Sequence, residues 1–94
     1  MEEHLSIKEI YDRLQEIPGW EMDGHTSIYK EFEFKDFKEA MEFVNNVAQE
    51  AQRENHHPDI LIKYKKVRLT LSTHDENALT YKDFKMAKII GQLV

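Results

Sequence analysis

From Val67 to Ser72 apolar and polar side chains alternate without a break, with Val67, Leu69 and Leu71 on one side and Arg68, Thr70 and Ser72 on the other. Strict alternation of apolar and polar residues, rich in branched side chains, is the pattern of a strand with one buried and one wet face. Helices can cover such a sheet on one face only. That restriction governs how every other element of the chain can be placed.

The remaining elements are marked by capping and turn residues. Ser6 with Glu9 forms a capping box, and Leu5 and Ile10 stand at the staple positions around it. Ile7, Ile10, Tyr11, Leu14 and Ile17 recur at helical spacing until Pro18-Gly19 stops the run. Trp20 and Met22 alternate with acids, Asp23-Gly24 supplies a turn, and Ile28 to Phe34 alternates again, which predicts a pair of antiparallel strands. Asp36 with Glu39 opens a second helix, whose stripe is Phe37, Ala40, Met41, Val44, Val47, Ala48 and Ala51. It ends near Asn55, because Pro58 disfavours helical geometry in the residue before it. Ile60 to Tyr64 and Val67 to Thr73 make a second hairpin around Lys65. Thr80 then caps a last helix with Asp83 at its third position; Leu79 staples to Phe84, and Phe84, Ala87, Ile90 and Val94 form its buried side. The predicted order is α-β-β-α-β-β-α, an α+β fold: a four-stranded antiparallel sheet with three helices packed on one face.

Composition sets the class. The 94 residues form one domain spanning 1–94, without repeats, low-complexity tracts or a linker. Size scaling leaves about 5,700 Å² wet out of roughly 16,200 Å² in the unfolded chain, enough burial for a core without metal or disulfide support. The absence of cysteine excludes disulfides, thiolate-bound metals and thiol nucleophiles. No run of about 18 apolar residues offers a membrane span, and the acidic start lacks the basic opening of a signal peptide. A cytoplasmic, soluble protein that binds no membrane is expected. The net charge of −5 is unevenly spread: residues 1–54 hold 14 acids and 6 bases, residues 55–94 hold 4 acids and 7 bases. Seven bases over that length are thin for nucleic-acid binding, so Lys63, Lys65, Lys66 and Arg68 read as a solvated hairpin.

Three of the five histidines converge. His56 and His57 are adjacent in the turn after the long helix, and His74 ends the fourth strand. A tight hairpin around Lys65 lays the start of the third strand beside the end of the fourth, so His74 returns near His56 and His57. Three chemistries fit such a cluster: ordinary polar turn residues, a three-histidine zinc site, or metal-free acid–base catalysis. Adjacent histidines diverge, which disfavours a shared metal. An imidazole, with an ordinary pKa of about 6.5, donates and accepts protons near neutrality.

The stretch Glu54-Asn55-His56-His57-Pro58, then Tyr64, Val67, Leu69, Leu71, Ser72-Thr73-His74, Leu79-Thr80, Asp83, Ala87 and Ile90 resembles the pterin-4a-carbinolamine dehydratases, also called the dimerisation cofactor of hepatocyte nuclear factor. Trp20 and the element order match as well, so the resemblance spans nearly the whole chain. It implies dehydration of 4a-hydroxytetrahydropterin (4a-hydroxytetrahydrobiopterin) to quinonoid dihydropterin, with no metal and no cofactor. His56 and His74 are the expected acid–base pair; His57, Ser72, Thr73 and Asp83 are expected to bind or orient the pterin. Gln52, Ile60, Ala78 and Lys82 depart from residues common in the family at those positions. The resemblance also implies a homodimer or homotetramer, and a second class of function, an oligomerisation cofactor or assembly chaperone. An open sheet of four strands leaves two edges, and the hairpin from Trp20 to Phe34, carrying Ile28, Phe32 and Phe34, is one candidate edge for self-association.

Overall fold

The computed structural model describes residues 4–94. Helix α1 (Ile7–Leu14) leads into β1 (Glu21–Asp23) and β2 (Ser27–Glu33); α2 (Phe37–Glu54), β3 (Asp59–Lys63), β4 (Lys66–Leu71) and α3 (Tyr81–Gly91) follow. This is the α-β-β-α-β-β-α order read from the sequence, with an antiparallel sheet of order β1-β2-β4-β3. The capping boxes at Ser6/Glu9 and Thr80/Asp83 both form. Each satisfies two backbone donors that a helix start would otherwise leave unpaired.

The apolar–polar alternation that begins at Val67 is realised in β4, where Val67, Leu69 and Leu71 are fully buried. Ile28 and Phe32 of β2 point to the same side, opposite Leu71 and Val67 in the register. Against that side lie Ala40, Phe43, Val44, Val47 and Ala51 of α2 and Phe84, Met86, Ala87 and Ile90 of α3, in one apolar cluster. On the other side Arg68 lies over the Tyr29 ring at 4.0 Å, and Lys65 stands 3.7 Å from Glu33. Two of the four basic residues of this hairpin thus have a partner on β2.

Several details differ from expectation. The buried stripe of α2 runs through Phe43, whose ring packs 4.9 Å from both Phe32 and Phe34. Phe37 and Ala48 are exposed instead, because the helix rests on the sheet about one residue further round. Val94 is also exposed, lying beyond the end of α3. Strand β4 stops at Leu71, and the burial alternation continues through Thr73, which bridges to Ala78. Tyr64 belongs to the turn, at a positive φ of 54°.

The hairpin from Trp20 to Phe34 does supply one edge of the sheet, but through β1 and not through the apolar residues of β2. Strand β2 lies inside the sheet, paired on both sides, and Ile28 and Phe32 fill the chain's own core. The two edges are β1, only three residues long, and β3, which leaves Ile60 and Leu61 exposed.

Candidate active site

Helix α2 ends on Asn55, held in the left-handed region at φ 52°. Asparagine tolerates that conformation better than most residues, and the reversal it makes closes the helix. The His56 backbone N–H then donates to the Ala51 carbonyl at 3.1 Å, which turns the His56 ring toward α3. There Asp83 waits in the first turn, completely buried, and its Oδ1 accepts from His56 Nε2 at 2.7 Å. The other oxygen, Oδ2, accepts from the Thr73 hydroxyl and from the Thr80 backbone N–H, each at 3.0 Å. A carboxylate near a helix N-terminus also lies in the favourable field of the helix dipole.

The three histidines are held in three different ways. His56 is nine-tenths buried against Asp83. His57 is exposed and its Nε2 meets Gln52 Oε1 at 2.8 Å, one turn back on α2. His74 is exposed, with its Nε2 4.0 Å from Asp59 Oδ1 at the start of β3. The loop that carries His74 is tight: Thr73 N–H donates to Ala78 O at 2.9 Å, and Asn77 N–H donates to His74 O at 3.2 Å.

Together these elements enclose an open hollow of about 230 Å³, lined by Asn55, His56, His57, Thr73, His74, Asp75 and Lys82. The structure therefore gathers His56, His57, His74 and Thr73 at one wall. Asp83 sits behind His56, off that wall, and Ser72 is half-buried beside it without lining the hollow. Sequence reasoning gave no role to Asp59 or Thr80 beyond capping, and treated Gln52 only as a departure. Asp59 was discoverable from the hairpin register, since it pairs with Thr70, four residues before His74. No group of three or more histidine, aspartate or glutamate side chains among the described residues is arranged to hold a metal ion.

A family profile described as pterin 4 alpha carbinolamine dehydratase matches residues 3–93. The chain belongs to that family. A protein of Thermomicrobium roseum provisionally named pterin-4-alpha-carbinolamine dehydratase is 46% identical over 80 residues, covering 85% of each chain. One of a Cyanothece species with the same provisional name is 44% identical over 93 residues, 99% of this chain and 95% of its own. Among solved structures, a transcriptional coactivator/pterin dehydratase from Brucella melitensis superposes with a TM-score of 0.92 at 36% identity, covering 97% of this chain and 98% of that one. A pterin dehydratase-like protein described as a RuBisCO assembly factor of the alpha-carboxysome shares the fold at a TM-score of 0.68 and 18% identity, over 80% of this chain and 88% of that one. Within the pterin-4a-carbinolamine dehydratase family, the histidine cluster of this chain is the natural place to look for chemistry. No helix of the described residues is long and apolar enough to cross a membrane.

Proposed function

We propose that this protein dehydrates 4a-hydroxytetrahydropterins, 4a-hydroxytetrahydrobiopterin among them, to the quinonoid dihydropterin by histidine acid–base catalysis in the cytoplasm. The reaction would return the pterin of tetrahydropterin-dependent hydroxylases to use. The observation that carries this reading is the buried His56–Asp83 contact at 2.7 Å, opening onto a hollow that His74 also lines.

The elimination needs one group to take the N5 proton and another to protonate the departing hydroxyl. His56 suits the first role. With Nε2–H donated to Asp83, its Nδ1 carries a lone pair, and the imidazolium formed on accepting a proton is stabilised by the carboxylate behind it. His74, wet and near Asp59, suits the second. The N5–H electron pair becomes the C4a=N5 double bond, the C4a–O bond breaks, and the hydroxyl leaves as water with the proton from His74. Solvent then carries a proton from His56 back to His74. His57, tied to Gln52, holds the pterin, and Ser72 is assigned to binding with it. Thr73 and Asp83 serve the substrate by holding His56 in place. The chemistry needs no metal and no cofactor.

We also assign the protein to a homodimer, or a tetramer built from it, joined through a sheet edge. A role as an oligomerisation cofactor or assembly chaperone is the second reading, suggested by the coactivator and assembly-factor descriptions of the two structural relatives. Three imidazoles with separate acceptors around one hollow favour catalysis, since an adaptor has no use for them. The deciding experiment follows ultraviolet absorbance as chemically generated 4a-hydroxytetrahydropterin decays. Faster decay with the protein supports the enzyme; an unchanged rate leaves only the adaptor.

A further inference from the structure

Behind His56 the buried polar groups form a chain in which each hydrogen has one place to go. Thr73 is 6% exposed; Thr80 and Asp83 are wholly buried. A threonine hydroxyl has one hydrogen to donate. That of Thr73 goes to Asp83 Oδ2 at 3.0 Å. The 2.7 Å contact between the Thr73 and Thr80 hydroxyls then requires Thr80 to be the donor. The Thr80 oxygen in turn accepts from the Lys82 backbone N–H at 3.3 Å. The direction of donation runs from the α3 backbone through Thr80 and Thr73 into Asp83. No buried side-chain nitrogen or oxygen among the described residues is left without a partner.

This fixed direction acts on His56. With Thr73 and the Thr80 N–H both donating to Oδ2, and α3 directing its positive end at the group, Asp83 is held as an acceptor. Its Oδ1 therefore receives its hydrogen from His56 Nε2. We infer that Thr80, which lines no part of the hollow, is a positioning residue that sets the tautomer of His56 through Thr73 and Asp83, leaving Nδ1 as the nitrogen that exchanges a proton with substrate. The last clause rests on the proposed dehydratase reading; the tautomer does not. Thr80 thus has two separable tasks: its oxygen caps α3, and its hydrogen orients Thr73.

Nitrogen-15 NMR of the His56 ring, in the full-length protein with neutral imidazole, tests the inference directly. The wild-type protein should show the proton on Nε2. Thr73→Val keeps the helix cap and cuts the chain; Thr80→Val removes both cap and hydroxyl hydrogen; Thr80→Ser preserves both. Both valine variants should move His56 toward a mixture of tautomers, and the serine variant should restore the wild-type spectrum. Because losing a partner that orients a functional histidine typically alters activity by about 10- to 100-fold, the valine variants should lower kcat by about tenfold with little change in KM. If Thr80→Val fails to fold, Thr80→Gly, which keeps a good helix N-cap and removes the hydroxyl, takes its place. A proton on Nδ1 in the wild type, or an unshifted spectrum in Thr73→Val or in the folded Thr80 variant, overturns the inference. A shifted spectrum in a protein that dehydrates no pterin upholds the positioning role and removes the dehydratase reading instead.

Discussion

His56 and Asp83, 27 positions apart in the chain, meet at 2.7 Å and join the end of α2 to the first turn of α3. The contact is both structural and chemical. It ties two elements whose apolar faces share one core, and it places a carboxylate behind the imidazole best shielded from water. A histidine backed in this way is held in one orientation, which a loop histidine in water is not.

Replacing Asp83 by asparagine tests that arrangement. An asparagine whose oxygen accepts from Thr73 and Thr80 must turn its NH₂ toward His56 Nε2, which forces the opposite tautomer. The kcat of Asp83→Asn should fall by about 10- to 100-fold. Any other placement leaves buried donors unsatisfied, at a cost of about 1–3 kcal/mol. Urea unfolding should show a loss no larger than that range while circular dichroism stays native. Wild-type kinetics in a folded Asp83→Asn protein would remove the carboxylate from the mechanism.

The imidazoles themselves should separate into two kinds. His56→Ala and His74→Ala should each lower the dehydration rate about 10²-fold, the usual scale for a lost acid or base. His57→Ala should act on KM, and Gln52→Ala should do the same more weakly, because Gln52 only holds the ring. Steady-state kinetics of the four variants would decide, and near-normal turnover in both members of the proposed pair would refute the assignment.

Much of this fold could be read from sequence because its signals are local. Capping boxes, the Pro18-Gly19 stop and the period-two strands depend on neighbours within a few positions. What depends on docking was harder. Phe43 joins the core, and Phe37 leaves it, because of how α2 is rotated on the sheet. The interior position of β2 follows from the β2–β4 pairing, which no local pattern announces. In the site, His56, His57 and His74 stood out by their placement around the second hairpin, whereas Asp83 read as a helix cap and was marked for the site only by the family resemblance. The hydroxyl chain through Thr73 and Thr80 did not stand out, since its members come from a strand extension and a helix cap that meet only in three dimensions.

Chelation should leave the activity untouched. The Nε2 atoms of His56, His57 and His74 face three separate acceptors, Asp83, Gln52 and Asp59, and do not converge on one point. Zinc sites need several ligand atoms about 2 Å from the same ion. Dialysis against a chelator followed by the dehydration assay checks this, and activity lost and then restored by zinc alone would contradict it.

The link between α3 and the turn after α1 predicts a pH dependence of stability. The Lys88 ammonium, hydrogen-bonded to the Glu16 carboxylate, holds that carboxyl below its ordinary value of 4.5. A carboxyl lowered in the folded state contributes stability that is fully present above its unfolded value and is lost as pH falls through the folded one. Lys88→Met should therefore melt slightly lower than the parent near pH 7. The gap should close as the pH drops past 4.5, and because the pair is solvent-exposed, added salt should narrow it too. Calorimetry over pH 3–7 measures the effect, and a gap that widens toward acid would assign it to another group.

The last expectation concerns β3. An edge strand exposes unpaired backbone groups to any second strand, and natural proteins usually blunt such edges with charge or brevity. Strand β1 is blunted by both, with only three residues, two of them acidic. Strand β3 has five residues, and Ile60 and Leu61 at its middle are 37% and 50% exposed. Pairing β3 with its copy about a two-fold axis would satisfy the edge and extend the sheet to eight strands, each hollow remaining within its own chain. Sedimentation equilibrium at micromolar concentration should therefore return about twice the monomer mass of 11.2 kDa. Leu61→Lys, which places a charge at the middle of β3, should shift the population toward monomer while leaving the circular dichroism spectrum unchanged. A monomeric wild type, or a Leu61→Lys protein that dimerises as well as the parent, would place the contact elsewhere or deny it.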